Sequence, residues 1–255
     1  MENRKTLFNN LLKKLDNNKE ICEEFKYLGT GNPLSNILII GKEASIIKDE
    51  QKEQYNKEIV DNFNHWKSIS DFNSDKIKDR QFHNYSPLFP YKGQVLKIDN
   101  GKNFGTSKTW YNYQKLFNYI FNFPNNDIID FHKESFITEI NSTPSRKTVN
   151  AITDSIPFRK EHILSSNFFQ SFPIVIISGV RYFETRKENN EIENIFKVNF
   201  TEKKFANKEN GTQPYWVHLN KEKTKIVINT HQLSIGISDD LLKEVAKEII
   251  KSKLI

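Results

Sequence analysis

The chain has 255 residues, 36% of them hydrophobic, 13% aromatic and 27% charged, with a formal net charge of +6. Twenty Phe and nine Tyr supply enough apolar area for a sizeable core despite the modest hydrophobic fraction. One cysteine, Cys22, excludes an intrachain disulfide and any thiolate zinc site or iron–sulfur cluster built from this chain alone.

A polar N-terminus (MENRKTLFNN) without the apolar core of a signal peptide leads to the expectation of a reducing, cytoplasmic setting. The sequence contains no apolar run of about 18 residues, the length a membrane-spanning helix needs, so no membrane partner is expected. The basic balance favours an anionic partner. No linker and no internal repeat divides the chain, so a single domain over 1–255 is expected, with an N-terminal helical extension over 1–35.

In chain order, apolar spacing at Leu7, Leu11, Leu15, Ile21 and Phe25 predicts a helix over 5–27. A Gly/Pro turn at 29–33 leads into 36–45 (NILIIGKEAS). There an unbroken apolar run closing at Gly41 predicts a strand buried on both faces. Glu43 follows at the carboxyl end of that strand, where open α/β sheets place their ligands. Ile59, Phe63, Trp66 and Ile69 predict one or two helices over 47–72. Residues 82–108 form a long aromatic segment punctuated by Pro and Gly, of the kind that is usually functional in a compact domain. A helix from about 109 buries Trp110, Tyr113, Leu116, Phe117 and Ile120.

A second strand over 135–140 (SFITEI) runs into the polar turn 141–146. A helix over 158–171 precedes a third strand, 174–177. A further helix is expected to begin over 181–189. A hairpin insertion spans 195–222, with strands at 196–200 and 215–219 around a charged loop. A fourth strand, 225–229, ends just before His231, and 239–253 closes the chain as a helix with acids in its first turn and lysines in its last. Four short apolar strands separated by helices predict an α/β fold, a three-layer α/β/α domain with a four-stranded parallel central sheet.

Glu43, the Glu139/Asn141 pair and His231 each follow a predicted strand, so a parallel sheet brings them to one edge. A carboxylate there can activate water, and a His can stabilise a departing anion.

These residues resemble the uracil-DNA glycosylase-like superfamily over 36–255. Its first motif, commonly Gly-Gln-Asp-Pro-Tyr or Gly-Glu-Ala-Pro-Gly, stands here as Gly41-Lys42-Glu43-Ala44-Ser45. Its last, typically His-Pro-Ser, stands as His231-Gln232-Leu233-Ser234. The resemblance implies that Glu43 orients water and His231 stabilises the leaving base. It implies that Phe104, in Asn103-Phe104-Gly105, stacks on a flipped base. Glu139 stands where many members carry the Asn that reads the base edge, and Asn141 is a possible substitute. Ser45, Arg146, Gln232, Leu233 and Ser234 are then DNA-contacting positions, with the loop from Leu233 entering the minor groove. No cofactor and no metal are implied, and the cysteines of the iron–sulfur branch are absent.

The expected function is a DNA-binding protein resembling DNA glycosylases, hydrolysing the N-glycosidic bond of a uracil or other modified base. Two alternatives stand beside it: a catalytically inactive nucleic-acid-binding relative, and a small-molecule hydrolase.

Overall fold

The structure is a computed structural model that describes residues 3–77, 85–94, 97–99, 102–104, 107–123, 128–179, 182–186, 188–209, 211–234 and 236–255. Seven strands form its main sheet: β1 Thr30–Gly31, β2 Ile37–Gly41, β3 Ser135–Glu139, β4 Ile174–Ser178, β5 Asn199–Lys208, β6 Gly211–Leu219 and β7 Ile226–Thr230. Their spatial order is β1-β3-β2-β4-β7-β6-β5. The four inner strands pair in parallel, with Ile37 opposite Ser135 and Ile174, and Ile226 opposite Ile174. Antiparallel strands extend both sides, β1 against β3 and the β5–β6 hairpin against β7.

The expected four-stranded parallel sheet is therefore corrected to a seven-stranded mixed one. β1 has two residues, too few to show a pattern. β5 is an exposed edge strand rich in Lys and Asn, which reads as a charged loop in sequence. Two short ribbons, Lys97–Asp99 with Lys102–Phe104 and Thr185–Arg186 with Asn189–Asn190, lie outside the main sheet.

The helices that matter for the site are α1 Arg4–Asn17, α2 Asn62–Ser68, α3 Lys108–Phe121, α4 Ser155–Phe158, α5 Glu191–Phe196 and α6 Asp239–Ser252. Successive side chains of a strand point to opposite faces. Leu38, Ile40, Val175, Ile177 and Val227 thus pack on α1, α2 and the segment 156–172. Ile37, Ile39, Ile174, Ile176, Ile226 and Ile228 pack on α3 and α6. The inner strands are predominantly apolar because both faces are covered, which makes them legible in the sequence.

α1 ends at Asn17, short of the expected 27. Asn18 leaves helical geometry and its N–H caps the Leu15 carbonyl, consistent with the preference of Asn for helix ends. Far from being an appendage, α1 sends Phe8 into the core, where its ring meets Trp66 edge-on at 5.1 Å. The helix expected to begin over 181–189 starts instead at Glu191, capped by the Asn190 side chain, which accepts from the Glu193 N–H. Among the described residues, no helix is long and apolar enough to cross a membrane.

All four parallel strands end at one edge. Their chain order across the sheet is second, first, third, fourth, so the connections diverge from β2 and the order reverses between β2 and β4. Crevices for ligands form outside the strand ends at such a switch point.

Candidate functional site

Past their last residues, β2 and β3 keep running side by side. The Ile140 N–H donates to the Gly41 carbonyl (2.9 Å), Asn141 to Lys42 (2.8 Å) and Ser145 to Ala44 (2.9 Å). This continuation brings the two carboxylates of the sequence analysis together. A cleft of about 300 Å³ opens there, floored by Gly41–Ile46 and Glu139. Tyr27, Tyr85, Tyr91, Trp110 and Tyr113 form its aromatic walls, and Gln94 and Gln232 add polar groups. Tyr91 and Trp110 meet edge to face at 4.2 Å, and the Tyr91 hydroxyl donates to Glu58 Oε1 (2.9 Å).

Glu43 is 8% exposed. Thr148 Oγ1 donates to its Oε1 (2.6 Å) and the Tyr182 hydroxyl to its Oε2 (2.5 Å). The two hydroxyls fix its orientation. A carboxylate has about four lone-pair positions, so capacity remains for a water. Burial, and then the hydrogen bond to Glu43 and its charge, drive the Tyr182 phenol well above its ordinary range.

Glu139 sits opposite Gly41 in the β2–β3 ladder. Its carboxyl lies so close to the Gly41 backbone that a Cβ at 41 would stand 2.1 Å from Oε2. Glycine is required there for close approach, not for an unusual turn. Oε2 is inaccessible and has no hydrogen-bond partner among the described residues. Burial, and then the charge of Glu43, push the Glu139 carboxyl up to about 8, with Arg159 opposing.

The Arg159 guanidinium is fully buried and is spent on neighbouring backbone. Its Nε donates to the Glu139 carbonyl (2.8 Å), and its other nitrogens reach the Tyr27 carbonyl and Thr138 Oγ1 (2.8 Å). It therefore braces the end of β3 without pairing directly with the carboxyl. Burial draws its own proton affinity down to about 10. Gln94 Oε1 is a second buried acceptor in the cleft without a partner among the described residues. Glu139 and Gln94, both lining the cleft, thus each carry a buried oxygen without a partner among the described residues, where buried polar atoms are ordinarily satisfied.

Asn141 is fully buried, and its side chain organises the loop 141–155. Nδ2 donates to the Ile152 carbonyl (2.9 Å), while Oδ1 accepts from Ser155 Oγ (2.7 Å) and the Thr143 N–H (3.1 Å). These bonds give it a structural part in that loop, and it is not among the residues that line the cleft. His231 does stand at the end of β7 on the same sheet edge, but it is exposed, with its ring 6.3 Å from Trp216, and it does not line the cleft. Leu233 is completely buried in the core beneath α3 and α6, and its N–H donates to Ser178 Oγ (2.7 Å). It is not an exposed wedge for a groove. The Ser234 carbonyl accepts from Asn112 Nδ2 (2.9 Å). Ser45 and Gln232 line the cleft. The Phe104 backbone belongs to the ribbon Lys102–Phe104, and its side chain lies outside the described residues.

Arg146 is exposed on the loop that carries Thr148. With Ser145, Lys147 and Asn150 it lines a shallow depression. Val149 (86% exposed) and Ile152 (61%) project from the same loop. Among the described residues, no group of three or more His, Cys, Asp or Glu side chains is placed to hold a metal ion.

Sequence reasoning missed Thr148, Tyr182, Arg159 and Gln94. Each enters the site from a loop or helix with no strand-end signal. In sequence, Tyr91 and Trp110 stand out only as aromatics of a loop and a helix. Comparison with family models, curated proteins and solved structures yields no match.

Proposed function

We propose that the chain hydrolyses the N-glycosidic bond of a nucleobase seated in this cleft, with DNA as the polymer that carries the base. This is the reaction implied by the uracil-DNA glycosylase-like resemblance, with a different division of labour. Glu43, oriented by Thr148 and Tyr182, takes a proton from water as the water oxygen bonds to the sugar carbon. The carbon–nitrogen bond breaks, and the base leaves with a proton from Glu139. Water and glycoside become a sugar hydroxyl and a free protonated base, so atoms and charge balance.

The observation that carries the reading is a pair of carboxyl groups in unlike surroundings at one aromatic-lined cleft. Pairs whose environments separate their proton affinities are how acid and base roles are assigned within one site. Glu139 takes over the task expected of His231, at the position where an Asn was expected. When protonated, it offers one donor and one acceptor, as an amide does. The aromatic walls suit a flipped base, which is held by stacking. Arg146 and Lys147, on the loop that holds Glu43, are suited to positioning phosphates.

The test is incubation of single-stranded and duplex oligonucleotides carrying a panel of normal and modified bases, followed by alkaline cleavage at abasic sites. The reading expects scission at one or a few bases, lost in Glu43→Gln. No scission at any base in the panel overturns it.

A further inference from the structure

The β5–β6 hairpin presents two unlike faces. On one, Ala206, Tyr215 and Val217 pack into the core against α6, and Lys204 pairs with Glu248 of that helix. On the other, the base of the hairpin is closed, with His218 buried beside the Phe200 ring at 5.6 Å. The Phe200 N–H donates to the Glu193 carboxylate of α5 (2.7 Å).

Farther out, this second face is open. Lys203 pairs across the ladder with Trp216, and Phe205 with Pro214. Phe200 is 49% exposed and Phe205 56%. Lys203 Nζ stands 5.0 Å from the Phe205 ring and 5.6 Å from the Trp216 ring. Trp216 pairs with Asn229 of β7, two residues before His231, whose ring lies near the Trp216 indole on the same side. Gln232 is next in sequence and already lines the cleft. The aromatic and basic strip thus runs from the hairpin to the mouth of the site.

We propose that this open hairpin face is a stacking platform for single-stranded nucleic acid, which it leads toward the cleft. Aromatic faces interleaved with a cation are the means by which proteins hold unpaired bases and track the phosphates between them. A duplex hides its base faces and gains nothing from such a strip. On this face Lys203 supplies the charge complementary to the strand, whereas Lys204 is held by Glu248 on the other; charged residues along β5 also discourage pairing of this edge with a second copy. The proposal rests on the nucleic-acid reading of the cleft only for the destination of the strand. The binding itself needs no turnover.

The test measures anisotropy of a labelled (dT)20 strand, and of a duplex of equal length, against the full chain and three variants, Phe205→Ala, Trp216→Ala and Lys203→Glu. Base stacking on an aromatic side chain is typically worth enough that each alanine variant should weaken (dT)20 binding roughly 5- to 100-fold. Duplex binding should change by less than about 3-fold, because it draws on phosphate contacts alone. Lys203→Glu should weaken single-strand binding and flatten its salt dependence. Phe205 and Lys203 are exposed, so their substitution leaves the fold intact even if Trp216→Ala does not. Trp216→Phe should restore most of the affinity.

Unchanged (dT)20 affinity in both Phe205→Ala and Lys203→Glu overturns the proposal, as does failure of the full chain to bind (dT)20. A shift from dimer to monomer in the variants without loss of binding overturns it in favour of a self-interface. Weakened strand binding in a protein that excises no base supports the platform while removing the glycosidic reading.

Discussion

The turn after β2 and the end of β3 each present a glutamate to the same cleft, and their surroundings differ in kind. Glu43 is clamped by two hydroxyl donors, from Thr148 and Tyr182. Glu139 has an inaccessible oxygen with no partner among the described residues, pressed against the Gly41 backbone. The cation that opposes its hold on a proton, Arg159, donates to its backbone carbonyl. One carboxyl is thereby held and aimed by its donors, and the other is driven to hold its proton to about pH 8. Residue type alone does not assign acid and base. The assignment comes from which neighbours reach the carboxyl and which stop at the backbone.

The largest break in this comparison comes from removing either half. Glu43→Gln and Glu139→Gln should each lower base release about 100- to 10,000-fold, as for loss of a positioned acid or base. Oligonucleotide binding should persist, because phosphate contacts supply most of the affinity. The double variant should fall little below the worse single one, because the two groups act as a unit. Single-turnover assays with matched binding curves check both points.

Gly41→Ala attacks the contact between the two regions. A methyl group 2.1 Å from Glu139 Oε2 forces the carboxyl to move. Overpacking of this kind costs about 1–3 kcal/mol. Denaturant unfolding should show that loss together with reduced base release, whereas Gly179→Ala, whose Cβ would meet Lys42 Cγ at 3.1 Å, should be milder.

A buried group with no cleft beside it shows what burial does by itself. The His132 ring is fully buried among Phe131, Trp110 and Phe89, and burial draws its proton affinity down to about 3. Unfolded, it would take up a proton near pH 6.5, so the unfolded chain binds more protons below that value. The stability contributed by the neutral ring is present above about pH 6.5 and is lost as pH falls toward 3. Glu139 works in the opposite direction. The unfolded carboxyl ionises near 4.5 while the folded one keeps its proton to about 8, so its burial costs stability progressively as pH rises between those values. Thermal melts of His132→Phe should lose part of the acid sensitivity, and melts of Glu139→Gln part of the alkaline decline.

The smallest effect sharpens the comparison by exclusion. His231 shares the sheet edge but does not line the cleft. His231→Ala should change base release by less than about 3-fold, against the 100-fold or more typical when a preorganised electrostatic partner is removed. A loss as large as that for Glu43→Gln would place the leaving-group task back on the imidazole.

The legible parts of the sequence share one physical cause. β2, β3, β4 and β7 are covered on both faces, so apolar residues dominate them, and Glu43 and Glu139 stand where two of those strands stop. β5 was read largely as a loop because an edge strand can be charged along its length. Sequence position places Asn141 at the site by its distance from a strand end, and the motif resemblance places Leu233 there. One side chain turned inward to satisfy a loop and the other to fill the core, and strand-end position does not encode that choice. Thr148, Tyr182 and Arg159 lie 105, 139 and 20 residues from the groups they touch and carry no local pattern. Only packing reveals them.

The central claim is that Glu139 holds its proton at neutral pH because its carboxyl is desolvated and lies beside Glu43. Carbon-13 NMR of glutamate-labelled protein, with the Glu139 resonance assigned by its loss in Glu139→Gln, tests this without any substrate. The account predicts a midpoint near 8 in the wild type, moving down in Glu43→Gln as the second of its two causes is removed. A Glu139 midpoint near the ordinary 4.5, unmoved by Glu43→Gln, would contradict it.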